Sequence, residues 1–191
     1  MAHVSIIGTG NMGSALSGLV SKGGNTVEQL DTSTVDKPIT GDVVILAVPH
    51  PAVGEIVAKR GAQLTGKIVV DITNPLNFET FDDLVVPADS SKAAELAAAL
   101  PSSTVLKAFN TNFAATLAAG TVGGLPTTVL IAGDDADAKA LLAGIVTAAG
   151  LRAIDVGGLK RARELEAVGL LQITLAGAEK ISWTGGFAVA P

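Results

Sequence analysis

The chain has 191 residues, of which 48% are hydrophobic and only 16% charged, and its net charge is −5. That balance counts against a nucleic-acid or anionic-membrane surface, which needs clustered Lys and Arg; here they cluster only at Lys160, Arg161 and Arg163. With no Cys there are no disulfides or thiolates, and two widely separated His leave no zinc set, so no metal is expected.

In chain order, residues 4–7 form a short β-rich run, after which Met12, Ala15, Leu16, Leu19 and Val20 recur at helical spacing until Lys22-Gly23-Gly24 stops them. Further apolar strands are predicted over 26–30, 42–48, 67–72, 104–109, 127–132 and 152–156. The spacing between them predicts helices over 51–59, 91–100, 112–119, 136–149 and 159–181. Strands apolar on both faces that alternate with helices indicate a parallel sheet covered on two sides. The expected class is therefore α/β, a doubly wound parallel sheet with a Rossmann-type NAD(P)-binding fold. It should fill 1–191 as a single domain, with a long C-terminal helix and tail over about 159–191. Two connections are unusual. Only eleven residues, DTSTVDKPITG at 31–41, join the second strand to the third, so a crossover helix barely fits and the adenine side of a bound dinucleotide should lie more open. The irregular stretch TNPLNFETFDDLVVPA at 73–88 holds two of the five Phe and two of the eight Pro, and loops of that length in a compact domain are often functional.

The segment Gly8-Thr9-Gly10-Asn11-Met12-Gly13 lies between the first strand and the first helix. In that setting the first Gly permits a tight turn, the second lets backbone approach a pyrophosphate, and the third lets helix pack on strand. The helix N-terminus then offers free N–H groups to the phosphates. Asp31 stands eighteen residues beyond Gly13, where an acidic side chain accepts hydrogen bonds from the ribose hydroxyls of NAD. Thr32 and Ser33 follow it, with Thr34 and Lys37 close behind, and all of them are able to hold a phosphate.

Ligands of an open parallel sheet bind outside the carboxyl ends of the strands. The third and fourth strands end in AVPHP and DITNPLNF, so Ala47, Val48 and Pro49 together with Thr73, Asn74 and Pro75 are expected against a nicotinamide ribose and ring. The fifth ends in KAFNTNF, which brings Phe109, Asn110 and Thr111 to the same edge. No catalytic side chain is expected. His50 is a lone loop residue, no Ser-His-Asp set can be assembled, and Glu164 and Glu166, two apart on one helix, do not share a face.

Four motifs in order, IIGTGNMG, VVILAVP, VVDITNPL and LKAFNT, resemble the coenzyme F-420 (deazaflavin)-dependent NADP oxidoreductase family over nearly the whole chain. Related domains occur in membrane ferric reductases and, more distantly, in pyrroline-carboxylate reductases. The resemblance implies NADP bound along Gly8 to Gly13, the turn at 31–33, and the strand ends at 47–49 and 73–75, with a deazaflavin or flavin as second cofactor. The chain departs from the family where members that grip the 2′-phosphate put Ser and Arg after the second strand; here Asp31 and Thr32 stand there, which keeps NAD possible.

The expected function is hydride transfer between NADP(H) and a small-molecule redox acceptor of deazaflavin or flavin type, chemistry that needs no protein nucleophile. The alternatives are an imine or carbonyl reductase of pyrroline-carboxylate-reductase type, with His50 or Thr111 as proton donor, and a non-catalytic dinucleotide-binding redox sensor. The chain opens directly on a strand pattern without a basic, apolar leader and carries no apolar run of roughly 20 residues, so a cytoplasmic protein that spans no membrane is expected. Scarce charged surface predicts a homo-oligomer, a dimer. The tail WTGGFAVAP, with the only Trp, is expected over the cofactor crevice or across that dimer.

Overall fold

The Val- and Ile-rich runs pair as strands because branched side chains pack well on a pleated, doubly covered surface. The computed structural model describes residues 1–31, 33 and 36–190. In chain order they form β1 (His3–Ile7), α1 (Asn11–Lys22), β2 (Thr26–Leu30), β3 (Val43–Leu46), α2 (His50–Leu64), β4 (Ile68–Asp71) and α3 (Lys92–Ala99). Then come β5 (Thr104–Lys107), α4 (Ala114–Ala119), β6 (Thr121–Val122), β7 (Leu125–Pro126), β8 (Thr128–Gly133), α5 (Ala136–Ala148) and β9 (Arg152–Gly157). A 3-10 turn, Leu159–Arg161, leads into α6 (Ala162–Gly177).

The main sheet has the order β2-β1-β3-β4-β5-β8-β9, so the direction in which successive strands are added reverses at β1, which runs parallel to both neighbours, Val4 pairing with Val27 on one side and Val43 on the other. Alternate residues of each strand point to opposite layers. Val4, Ile6, Val43, Ile45 and Leu106 join Leu16 of α1 and Leu142 and Ile145 of α5. Ile7, Val44, Leu46, Val69 and Val105 join Val53 and Ile56 of α2 and Leu96 of α3. Each such side chain contributes about 1.5–3 kcal/mol on burial.

The sheet departs from the all-parallel expectation at one step, since β8 runs antiparallel to β5, with Leu106 opposite Gly133. The cause is α4: six residues make a helix about 9 Å long, too short to carry the chain back along the sheet. The chain instead turns through the unexpected β6–β7 hairpin and enters β8 from the edge where β5 ends. Element bounds shift as well. Because Val53, Ile56, Arg60 and Leu64 bury one face, α2 runs to Leu64 rather than stopping at 59. The helix expected from 112 starts at Ala114, and the one expected over 159–181 divides into the 3-10 turn and α6. Strands expected to reach 48, 72 and 109 stop at Leu46, Asp71 and Lys107, leaving their polar ends as loops at the sheet edge.

Among the described residues no helix separates β2 from β3. Glu28 of β2 instead gathers the returning chain: its Oε1 accepts from Thr40 N and Oγ1, both at 2.8 Å, and from Ser5 Oγ at 2.5 Å. Partial burial by itself would raise that carboxyl, but the hydrogen bonds from Ser5, Thr40 and Gly41 outweigh it and lower the pKa from 4.5 to about 2. Gly41 must be glycine, because a Cβ there would lie 2.5 Å from Ser5 N. No helix among the described residues is long and apolar enough to cross a membrane.

Candidate functional site

The reversal between β1 and β3 opens a crevice beyond their carboxyl ends, where an open α/β sheet binds ligands. Gly8 leaves β1 with φ +125°, its N–H donating to Leu30 O at 2.9 Å, and a Cβ there would strike Ala47 O at 2.1 Å. The chain thus passes the end of β3 at a residue without a side chain. Gly13, one turn into α1, is held against Gly8, where a Cβ would lie 2.2 Å from Gly8 O. Gly10 differs, because a Cβ there would meet nothing within 4 Å. Its emptiness faces the crevice, in front of the N-terminus of the twelve-residue α1, and leaves room for a pyrophosphate. Gln29 Nε2 donates to Gly8 O at 2.9 Å and fixes the turn from the β2 side.

Asp31 stands at the end of β2, fully exposed. Its Oδ1 accepts from Ser33 N at 2.7 Å and Ser33 Oγ at 2.6 Å, and Thr9 also donates to it. These bonds, Ser33 Oγ foremost, hold its carboxyl below the usual range, and they tie the turn after β2 to the glycine turn. Thr32 lies outside the described residues.

A cleft of about 680 Å³ continues from the glycine turn along the strand ends. Of the expected site residues, Gly10, Asn11 and Met12 line it at one end, and Ala47, Val48, Pro49, Thr73 and Asn74 line it further on. Gly8, Thr9, Gly13, Asp31, Ser33 and Pro75 do not line it; Gly8 and Gly13 shape the turn, Pro75 is buried behind Asn74, and Ser33 faces a different hollow. The far wall is aromatic. Phe78 and Phe81 rise from the long 73–88 loop, Phe113 precedes α4, and Trp183 comes from the tail to lie 5.0 Å from Phe113. Trp183 of the tail thus lies at the crevice. His50 opens α2 with its Nε2 3.1 Å from Leu76 O and its ring stacked 5.6 Å from Phe78. The imidazole therefore braces the aromatic loop.

The cleft floor is polar, and part of it lacks partners. Asn74 Nδ2 donates to Asn110 O, and Asn110 Nδ2 donates to Asn74 Oδ1 and Leu165 O, so the two amides lock together beneath α6. Gly169 of α6 allows that contact, since a Cβ would lie 2.1 Å from Asn74 Oδ1. Three buried atoms of cleft-lining residues, Thr73 Oγ1, Asn110 Oδ1 and Asn112 Oδ1, have no hydrogen-bond partner. Buried polar atoms are rarely left unpaired, and these can accept from the N–H groups of a ligand. Next to them Phe109 is 1% exposed at φ +62°, a left-handed conformation costing about 1–3 kcal/mol in a non-glycine residue.

The sequence reading missed what holds this floor. Asp71 and Lys107 are register partners on β4 and β5, both fully buried, and Lys107 Nζ donates to Asp71 Oδ2 at 2.7 Å, Glu166 Oε1 at 2.8 Å and Thr73 O at 2.6 Å. As expected, Glu164 and Glu166 do not share a face: Glu166 turns inward from α6 to bond Lys107, which also holds Asp71, while Glu164 faces solvent beside Arg161. Burial pushes the Glu166 carboxyl above its ordinary range, against the pull of Lys107 and the Lys92 N–H. The sign in the sequence was a Lys and an Asp inside otherwise apolar strands, LKAFN and VVDIT.

No protein-family model matches the chain. Over 139 residues, 71% of this chain and 62% of the relative, it is 33% identical to the F420-dependent NADP reductase of Methanocaldococcus jannaschii. Over 108 residues, 56% of this chain and 21% of the relative, it is 41% identical to the rat metalloreductase STEAP3. The chain thus spans less than two thirds of the length of these curated relatives. Among solved structures, one from Arthrobacter sp. FB24, proposed there as an F420-dependent NADP reductase, superposes over 100% of both chains with a TM-score of 0.85 at 24% identity. In sequence the chain is similar to one F420-dependent NADP reductase over most of its length, and in fold to the Arthrobacter structure.

Proposed function

We propose that the chain is an NADP-dependent oxidoreductase that passes a hydride between the nicotinamide and a flat acceptor of deazaflavin or flavin type. The observation that carries this reading is one continuous cleft running from the open face of Gly10 to an aromatic wall, with His50 as the only titratable residue lining it among the described residues. The dinucleotide would supply the hydride. The residues bind and orient: the turn at 8–13 and the N-terminus of α1 take the pyrophosphate, Asp31 and Ser33 stand toward the adenosine, and residues 47–49 and 73–74 face the nicotinamide ribose and ring. Phe78, Phe81, Phe113 and Trp183 offer an aromatic wall for a second ring, and Thr73 Oγ1, Asn110 Oδ1 and Asn112 Oδ1 offer hydrogen-bond partners at its base. Holding two rings face to face is most of what such a transfer asks of a protein. In this reading the protein is a single domain that works as a homodimer in the cytoplasm, with exposed Leu171, Phe187 and Val189 leaving apolar surface for a second copy.

The test is a titration with both nicotinamide dinucleotides followed by a screen of deazaflavin, flavin, imine and carbonyl acceptors. His50→Ala separates the readings. With a flavin-type acceptor its rate should stay within about tenfold of the parent, less than the 10²-fold or greater loss usual for a general acid. A larger fall at unchanged dinucleotide affinity gives the site to an imine or carbonyl reductase, and binding without turnover of any acceptor leaves a redox sensor.

A further inference from the structure

The short β2–β3 connection leaves a second hollow, of about 380 Å³, against α2, and it shares no lining residue with the ring cleft. Ile7 at the end of β1, Ser33, and Ala52, Ile56, Lys59 and Arg60 on one face of α2 form its walls. Ala52 and Ile56 lie four apart, as do Ile56 and Arg60, so apolar wall gives way to cation along a single helix face.

Arg60 is 2% exposed. Its Nη2 donates to Lys37 O and, at 3.3 Å, to Gln63 Oε1, while Nε and Nη1 find no acceptor. Among the described residues no carboxylate pairs with it, and Glu55 on the same wall is engaged by Lys59 at 2.5 Å. A buried guanidinium without a counter-charge is costly, and an anion beside it offsets that cost. The planar fork of N–H donors suits a phosphate better than it suits any neutral group.

We propose that this hollow receives the adenosine end of NADP, with the base against Ile7, Ala52 and Ile56 and the 2′-phosphate, a phosphomonoester, recognised by Arg60 with Lys59. The assignment rests on the dinucleotide reading above. It places on α2 the cation that the turn after β2 lacks, where the Asp31 carboxylate is turned to Ser33.

Calorimetry on the whole chain with NADP, NAD, adenosine 2′,5′-bisphosphate, 5′-AMP and inorganic phosphate tests it. The parent should bind the bisphosphate about tenfold or more tighter than 5′-AMP. Arg60→Met should erase that preference and weaken NADP by about tenfold or more, a change of about 1.4 kcal/mol or more, with NAD held within about twofold. Because Arg60 is buried, Lys59→Met, at a half-exposed position on the same wall, gives a second reading: a several-fold loss for NADP alone. Equal losses for NAD and NADP would mean that Arg60 only supports the fold, and would overturn the assignment. So would a parent that binds bisphosphate and 5′-AMP alike, or inorganic phosphate that binds as tightly as the bisphosphate. If the parent binds neither dinucleotide, the underlying reading falls too; if it binds both and Arg60→Met alters neither, only the role of Arg60 falls.

Discussion

Gly8 and Gly10 stand two residues apart and are glycine for different reasons. At Gly8 any side chain would be driven into the Ala47 carbonyl from a backbone at φ +125°, so its role is to let β1 leave the sheet beside β3. Gly10 has an ordinary φ of −74° and open space where a Cβ would be, so its role concerns what lies in the crevice. Gly8→Ala should therefore lower stability by about 2 kcal/mol or more through strain and backbone overlap. Gly10→Val should unfold within about 0.5 kcal/mol of the parent and yet abolish dinucleotide binding. Urea unfolding and calorimetry on both variants separate the two roles. Stability lost in Gly10→Val, or dinucleotide affinity unchanged, would remove the pyrophosphate from that face.

At the scale of elements, where no helix forms between β2 and β3 among the described residues, one carboxylate fastens the connection. Glu28 binds the Thr40 N–H and hydroxyl and the Ser5 hydroxyl in its ionised form, and its folded pKa of about 2 lies below the 4.5 of the unfolded chain. The stability it contributes is fully present above pH 4.5 and is lost as pH falls toward 2, since the unfolded chain takes up the proton first. Glu28→Gln should flatten that part of the acid limb of a stability–pH curve, with midpoints from urea titrations between pH 5.5 and 2.5 as the measurement. An acid limb as steep as the parent's would mean that other carboxylates drive it. The short connection was legible in the sequence because eleven residues with a proline leave barely enough chain for a crossover helix. Its fastening was not, because Ser5, Glu28 and Thr40 come together only through the β1–β2 register. The antiparallel β8 escaped for a similar reason: apolar periodicity marks a strand but carries no direction.

The whole molecule gathers its site from distant parts of the chain, and the same distance decides what the sequence reveals. The turn at 8–13 and the strand ends at 47–49 and 73–75 are local motifs, and they stood out as such. The floor depends on Asp71 from β4, Lys107 from β5 and Glu166 from α6, whose meeting no local pattern records. Through Lys107 Nζ the cluster holds the Thr73 carbonyl at the edge of the ring cleft, and through Glu166 it fastens the start of α3, whose Lys92 N–H donates to Glu166 Oε2 at 3.0 Å. Removing the lysine should therefore loosen sheet, helix and cleft together. Lys107→Met leaves two buried carboxylates facing each other without a cation, a loss of about 3–5 kcal/mol at neutral pH. The loss should depend on pH in a fixed direction. The folded pKa of Glu166 is raised, so the folded state holds its proton to higher pH than the unfolded chain, and stability falls as pH rises from the ordinary carboxylate range through that raised value. Without Lys107 the rise is larger, because the cation that favoured the charged form is gone. The deficit of Lys107→Met should thus be greatest near pH 7.5 and shrink near pH 5, where Glu166 can take up a proton. Urea unfolding of parent and variant at the two values measures it. An equal deficit at both would assign the loss to packing of the side chain and not to its charge.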